Sequence, residues 1–365
     1  TPVYNVCTAL GDYNNYYYAY ILREMAKRGF IQSLYRGIRE RSSDFRYDVF
    51  GDQFLPVPSR KEQDQIVQFL DWKVSGINSL ISNYRRQIAM IDEMKQRAID
   101  EAVIKGLRKD ILIHNEDIRW DIDYPKHWTL QRIRESFTFR KGLSITKANL
   151  EDTGIAVISY GQVHSKKNTG VGLNEDLIRF VNESYLVTNK SCLVEKGDFI
   201  FADTSEDVSG SGNCAYVDSD DTIFAGYHTI IAHPDGSTNN KYLAYLFKSP
   251  TWRYQVRKKV NGVKVYSITQ RILKDTFILV PPAEEQQEIV DYLDKFCSRM
   301  DAAVKHMEEE ITYLQEMKVR LVADTVTGKI DVRDIEIPEY ESIKDEDEID
   351  SDIDAELDGA DEQEG

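Results

Sequence analysis

The chain of 365 residues holds only four cysteines, Cys7, Cys192, Cys214 and Cys297, and they lie far apart. That spacing excludes a zinc ribbon and a CxxC redox pair, and it suits reduced thiols in a cytoplasmic protein. No apolar run approaches the roughly 18 residues of a membrane-spanning helix. No basic-then-apolar leader opens the sequence, so export is not expected. Catalytic signatures are missing as well. The phosphate-cradling pattern GxxxxGK[ST] does not occur. The single Pro-Pro pair, in Val280-Pro281-Pro282-Ala283, has neither an amide nor an aromatic neighbour. This excludes the Asn/Asp-Pro-Pro-aromatic loop of an adenine methyltransferase. Glu316-Met317-Lys318 with Pro234-Asp235 superficially fits a nuclease. The same tripeptide stands at 93–95 inside a helical pattern, so helix periodicity accounts for it.

What the chain has is an excess of acid, at a net charge of -16. Taken whole, that balance argues against a nucleic-acid partner, but its distribution argues otherwise. Residues 336–365 carry 15 Asp/Glu and one Lys, whereas residues 124–281 carry 20 Lys/Arg against 16 Asp/Glu. The acid belongs to a tail that is expected to be disordered and solubilising. An internal segment is mildly basic.

An internal repeat organises the rest. VPSRKEQDQIVQFLD at 57–71 recurs as VPPAEEQQEIVDYLD at 280–294, an offset of 223 residues. Farther along, Glu93-Met94-Lys95 recurs as Glu316-Met317-Lys318, and upstream Tyr17, Ala19 and Tyr20 match Tyr242, Ala244 and Tyr245 at nearly the same offset. A repeat this long means duplicated domains. Both copies step by three and four in apolar residues. Leu70, Ile77, Ile81, Ile88 and Ile91 mark the seam in the first; Leu293, Met300, Val304, Ile311 and Leu314 mark it in the second. Each copy predicts a coiled-coil helix of about 42 residues, about 63 Å long. The two helices are expected to pair antiparallel, because a globular domain returns the chain between them. That domain reads as mixed α/β. Strands are expected at Ile155–Ser159, Phe199–Ala202, Asn213–Val217, Thr229–Ala232 and Phe277–Val280. Helices are expected at Asn240–Phe247 and from Pro250 to about Val260. The fold class is therefore α+β. The second copy begins near residue 124, which would place the start of the first roughly 100 residues before Thr1. The first globular domain is accordingly expected to lack its front part.

The twice-used pattern Pro-x-x-x-Glu-Gln-x-x-Ile-Val-x-x-Leu-Asp, opening a long helix, resembles the specificity subunit of type I restriction–modification systems. YPKHWTLQRIRESFTFRKG at 124–142 and the helix exits AVIKGL at 102–107 and TVTGKI at 325–330 add to the resemblance. It implies a chain that does no chemistry itself. Target-recognition domains would each read half of a split site on double-stranded DNA, and the long helices would set the gap. Two modification subunits would methylate adenine with S-adenosylmethionine, and restriction subunits would use ATP and Mg2+. On this reading residues 1–58 are a remnant of the first recognition domain and 59–107 the first spacer helix. Residues 108–123 are a linker, 124–281 the second recognition domain, 282–330 the second spacer helix and 331–365 the acidic tail. The rival reading is a truncated coiled-coil scaffold, or a half-subunit that pairs with a second copy, whose N-terminal end no longer reads DNA.

Four segments of the basic domain mix cations, hydrogen-bonding groups and glycine, as DNA-facing loops require. The first offers Arg140, Lys141 and Ser144. The second offers Tyr160, Gln162, His164, Lys166 and Lys167, with Gln162 suited to an adenine edge. The third offers Thr204 and Ser205, although a capped turn also explains it. The fourth offers Lys258, Lys259, Lys264 and Tyr266, and Arg36–Arg41 looks like its analogue in the first copy. Tyr16–Tyr18 and Tyr20 suggest base stacking, but their alignment with the helix at 241–246 favours packing. His228 and His233 flank a strand without carboxylate or cysteine partners at ligand spacing, so no metal site is expected there.

Overall fold

The computed structural model describes residues 9–34, 47–108, 111–114, 120–262 and 264–343. They fall into two units, Thr1–Met90 with Ala302–Gly365, and Ile91–Asp301. The long helices are Arg60–Lys105 and Ala283–Val326, and each contributes to both units.

In the first unit the helices run antiparallel. Ile66, Val67, Phe69 and Leu70 pack with Val326, and Ile77 and Ile81 pack with Leu314. Helix Asn15–Lys27 adds Tyr17 and Ile21 to this core. The chain beyond the second helix joins it too. Val332 is buried, Ile330, Ile335 and Ile337 pack beside it, and Gln65 Nε2 donates to the carbonyls of Val332 (3.0 Å) and Ile335 (2.7 Å). Asn78 Nδ2 reaches the Ile343 carbonyl at 3.0 Å. This corrects the disordered tail expected from residue 331. Apolar residues interleaved with the acids give its first part a surface to bury. Residues 344–365 lie outside the described residues.

In the second unit Ile99, Ala102, Val103 and Ile104 face Ile289, Val290, Leu293 and Cys297, again antiparallel. This helical base carries two main sheets. One is antiparallel, in the order Cys214–Tyr216, Phe199–Ala202, Thr229–Pro234, Phe137–Lys141. The other is mixed, in the order Leu150–Glu151, Arg179–Val181, Ile155–Ile158, Ile223–Ala225, Leu193–Val194. Helices Asn240–Lys248 and Pro250–Arg257 bury Phe247 and Trp252 against Phe199 and Phe201. Part of the expected linker 108–123 is folded into this unit. Leu112–His114 pairs with Asp123–Pro125, and Trp120 is buried with its indole N–H on the Thr251 carbonyl.

The seam is uneven. Leu70, Ile77, Ile81, Leu293 and Leu314 are buried, and Ile311 packs beside the Ile77 cluster. Ile88, Ile91, Met300 and Val304 are only half-buried and belong to no core cluster. The continuous apolar stripe expected along each helix therefore thins at its middle.

The repeat has a physical cause. Each copy of its glutamine is buried and ties three pieces of chain together. Gln63 accepts from the Asn14 N–H (2.8 Å) and donates to the Pro58 carbonyl (2.9 Å). Gln286 does the same with Asn239 (2.7 Å) and Pro281 (2.7 Å). Asn14 and Asn239 cap the following helices. Tyr20 and Tyr245 each donate to the aspartate that closes the motif, Asp71 and Asp294, at 2.7 Å. Tyr17 reaches the Pro56 carbonyl, as Tyr242 reaches that of Leu279. Tyr17, Tyr20, Tyr242 and Tyr245 therefore hold the junction together. The copies also differ in the strand before the helix. Phe277–Val280 pairs with Thr129–Arg132, whereas the matching Phe54–Val57 has no strand partner among the described residues and leaves Phe54 fully exposed.

Candidate nucleic-acid interface

Backbone hydrogen bonds draw three of the four candidate segments of the second unit onto one turn, Gly226–Thr229, and join the fourth to them through Asp203. Gly142 N–H donates to the Thr229 carbonyl (3.1 Å) and Leu143 N–H to that of Ala225 (2.9 Å). Tyr160 N–H donates to the Tyr227 carbonyl (3.2 Å), and Asp203 N–H to that of His228 (3.0 Å). Ile268 N–H closes the set on the Asp203 carbonyl (2.7 Å), continuing the pairing of Thr204–Ser205 with Tyr266–Ser267. Two glycines permit the approach. A Cβ on Gly142 would stand 2.1 Å from Thr229 Oγ1 and 2.2 Å from the Gly226 carbonyl oxygen. One on Gly226 would stand 2.1 Å from Ser159 Oγ.

Lys141, next to Gly142, is exposed, as are Ser144, Lys166 and Lys264 in the candidate segments. Tyr160 meets Tyr227 and His228 edge-on, at ring separations of 5.6 and 5.5 Å. Burial, then the neighbouring Tyr160, pushes the Tyr227 phenol upward, so it stays a donor at neutral pH. Beside Tyr160 opens a polar cavity of about 730 Å³, lined by Ser205, Asp207, Asn213, Arg253 and Arg257 among others. Burial pushes the Arg253 guanidinium down to about 10, still well above neutrality. Arg257 donates to the Ser209 carbonyl and leaves its buried Nε without a partner.

Several candidates are occupied inside the protein. Arg140 donates to the Ser191 carbonyl (3.1 Å) and to the buried Asp198 (3.3 Å). Gln162 caps its own helix by accepting from Ser159 N–H (3.1 Å). His164 donates from Nε2 to the Thr204 carbonyl (2.8 Å) and accepts at Nδ1 from the Asn213 amide (3.1 Å). With both ring nitrogens engaged, it fastens one segment to another and has none for a base. Lys167 pairs with Asp176 at 2.6 Å. Thr204 donates to Asp203 (2.8 Å), and the buried Ser205 donates to the Asp207 carbonyl (2.7 Å). Tyr266 is half-buried against the core. Lys259 is held by Asp275 at 2.6 Å, and Lys258 lies 6.0 Å from the Tyr254 ring. No backbone bond ties these two lysines to the turn. Val263 and the expected analogue Arg36–Arg41 lie outside the described residues.

Sequence reasoning missed the turn itself, along with Arg253. His228 and His233 do have carboxylate partners, in Asp203 (3.2 Å) and Asp198 (2.6 Å), which the fold supplies from other strands. Among the described residues no three His, Cys, Asp or Glu side chains converge as a metal site would need, and no helix is long and apolar enough to cross a membrane.

Comparison with known proteins points the same way. The family described as the type I restriction modification DNA specificity domain matches residues 125–313, more than half of the chain. The EcoKI specificity subunit of the type I restriction enzyme of Escherichia coli (strain K12) is 21% identical over 291 residues. That match takes in 76% of this chain and 57% of that protein's length. Among solved structures, a chain from work on complex assembly and conformational transition of the type I R-M system superposes with a TM-score of 0.64. Its sequence identity is 15%, over 87% of this chain and 72% of that one. The HsdS subunit from Thermoanaerobacter tengcongensis superposes at 0.45, with 17% identity over 85% of this chain and 70% of that one.

Proposed function

The chain belongs to the type I restriction modification DNA specificity family, and from that premise we propose that its domain at 124–281 reads a DNA sequence for a type I restriction–modification complex. The observation that carries the reading is the gathering of three separate segments on the turn Gly226–Thr229, with the fourth joined to them through Asp203, and with the exposed Lys141 and aromatic side chains beside it. Lysines there suit phosphate oxygens, which position a protein on a duplex without reading it. Side chains at the turn suit base edges, which carry the sequence information.

On this proposal the chain contributes recognition and scaffolding, not catalysis. Two modification subunits dock on it and methylate adenine with S-adenosylmethionine, and restriction subunits cut with ATP and Mg2+. The domain at 124–281 reads one half of a bipartite site, and the paired helices act as the spacer. The complex works in the cytoplasm. Adenine-methylation mapping tests this in cells carrying the chain together with its modification subunit. The expected result is a methylated motif containing one defined half-sequence. Methylation without a motif would remove the DNA-reading role and leave the coiled-coil scaffold, alone or as a self-paired half-subunit.

A further inference from the structure

We infer that His228 reads a base directly, accepting at Nε2 a hydrogen bond from the exocyclic amino group of an adenine or a cytosine; this rests on the DNA-reading proposal. His228 is the one non-glycine with a positive φ among the described residues, at 55°. That left-handed conformation is uncommon for any residue with a Cβ, although histidine enters it more often than most. Glycine would adopt it freely, yet the position holds an imidazole. The surrounding strands hold it there. Its carbonyl accepts from Asp203 N–H, and the next residue, Thr229, accepts from Gly142 N–H.

The ring is fixed as firmly as the backbone. Nδ1 faces Asp203 Oδ1 at 3.2 Å, and Thr204 Oγ1 donates to the same oxygen at 2.8 Å. Tyr160 and Tyr227 pack edge-on against the imidazole at 5.5 and 6.0 Å. The side chain is nonetheless 58% exposed, and Nε2 has no partner among the described residues. A carboxylate at Nδ1 selects the tautomer with its proton there. In that neutral form Nε2 carries a lone pair and accepts. In the major groove the amino donors are adenine N6 and cytosine N4, while guanine presents acceptors. His164 provides the contrast, since both of its nitrogens are used within the fold.

The test uses the full chain with its modification subunit and maps methylated adenines for the wild type and four variants. H228G removes the ring and relieves the left-handed strain, so it should fold and melt no lower than the wild type. It should accept all four bases at one motif position where the wild type requires adenine or cytosine, with discrimination there falling roughly 2- to 10-fold, as loss of one hydrogen bond allows. H228A should do the same. D203A frees the ring and should relax that same position in part. D203N keeps an amide oxygen for Nδ1 and Thr204 and should restore it. A positioning role for Asp203 demands that rescue. An H228G motif identical to the wild type at every position would overturn the assignment. A uniform fall in methylation with preference intact would overturn it too. If the wild type itself methylates without a motif, the DNA-reading proposal fails first and takes this inference with it.

Discussion

Replacing Gly142 by alanine tests whether the convergence on Gly226–Thr229 depends on close approach. The added Cβ would stand 2.1 Å from Thr229 Oγ1, 2.2 Å from the Gly226 carbonyl oxygen and 2.9 Å from that of Ala225. A hydroxyl can rotate away, but two backbone oxygens cannot. The Gly142 and Leu143 amides are hydrogen-bonded across the same junction, so relief requires separating the strands. Overpacking of this kind costs about 1–3 kcal/mol. For a domain of this size that lowers Tm by about 3–10 °C. Gly161 is the control. A Cβ there meets nothing within 4 Å, and alanine is the better helix former by about 0.5–1 kcal/mol. Thermal unfolding followed by circular dichroism should show G142A melting lower and G161A melting level or slightly higher. A DNA-binding titration should show G142A weakened beyond its loss of folded protein, because the turn is displaced. The reasoning is refuted if G142A melts with the wild type, or if G161A falls as far as G142A.

Replacing Lys141, Lys166 and Lys264 together by alanine should weaken binding to all duplexes alike, lowering the log–log salt slope by about 0.9 for each phosphate no longer neutralised; fluorescence anisotropy across a salt series reads this, and an unchanged slope contradicts it. Ile77→Ala should cost about 2–4 kcal/mol by urea unfolding because Ile77 is buried against Leu314, whereas the half-buried Ile88→Ala should cost under about 1.5 kcal/mol. Equal losses would mean the seam is uniform after all. Burial, then Tyr18 and Glu62, pushes the Tyr17 phenol up to about 12. The folded state keeps that proton while the unfolded chain loses it near 10, so stability declines as pH rises from about 10 to 12. Y17F should lose at most about 1 kcal/mol at neutral pH and should show a shallower alkaline decline, the buried Tyr242 and Tyr245 keeping theirs; identical alkaline profiles would argue against it.

The long helices were legible because their signals are local and repeated: apolar residues stepping by three and four, and the same Pro-x-x-x-Glu-Gln opening in each copy. Phe199–Ala202 and Phe277–Val280 were also legible, since each is a short apolar run bounded by turn residues. The middle of the seam was not. Ile88 and Met300 look like Leu70 and Leu293 in sequence, and only the neighbours they meet decide their burial. The interface was half legible. Charge and glycine marked the four segments, but not which side chains remain available. Arg140 turns to Asp198 and Lys259 to Asp275, carboxylates 58 and 16 residues away in the chain. Gly226-Tyr227-His228-Thr229 carries no charged side chain to mark it, although the segments meet there.

The glycines at that meeting point make the loops one lever, not four. Gly142 and Gly226 leave no slack between the strands they join, so a side chain that enlarges one loop passes its displacement to the others through backbone amides. New preferences should therefore arrive poorly by piecemeal exchange of single residues at the rim, and more readily by grafting the whole assembly of loops with its shared fulcrum.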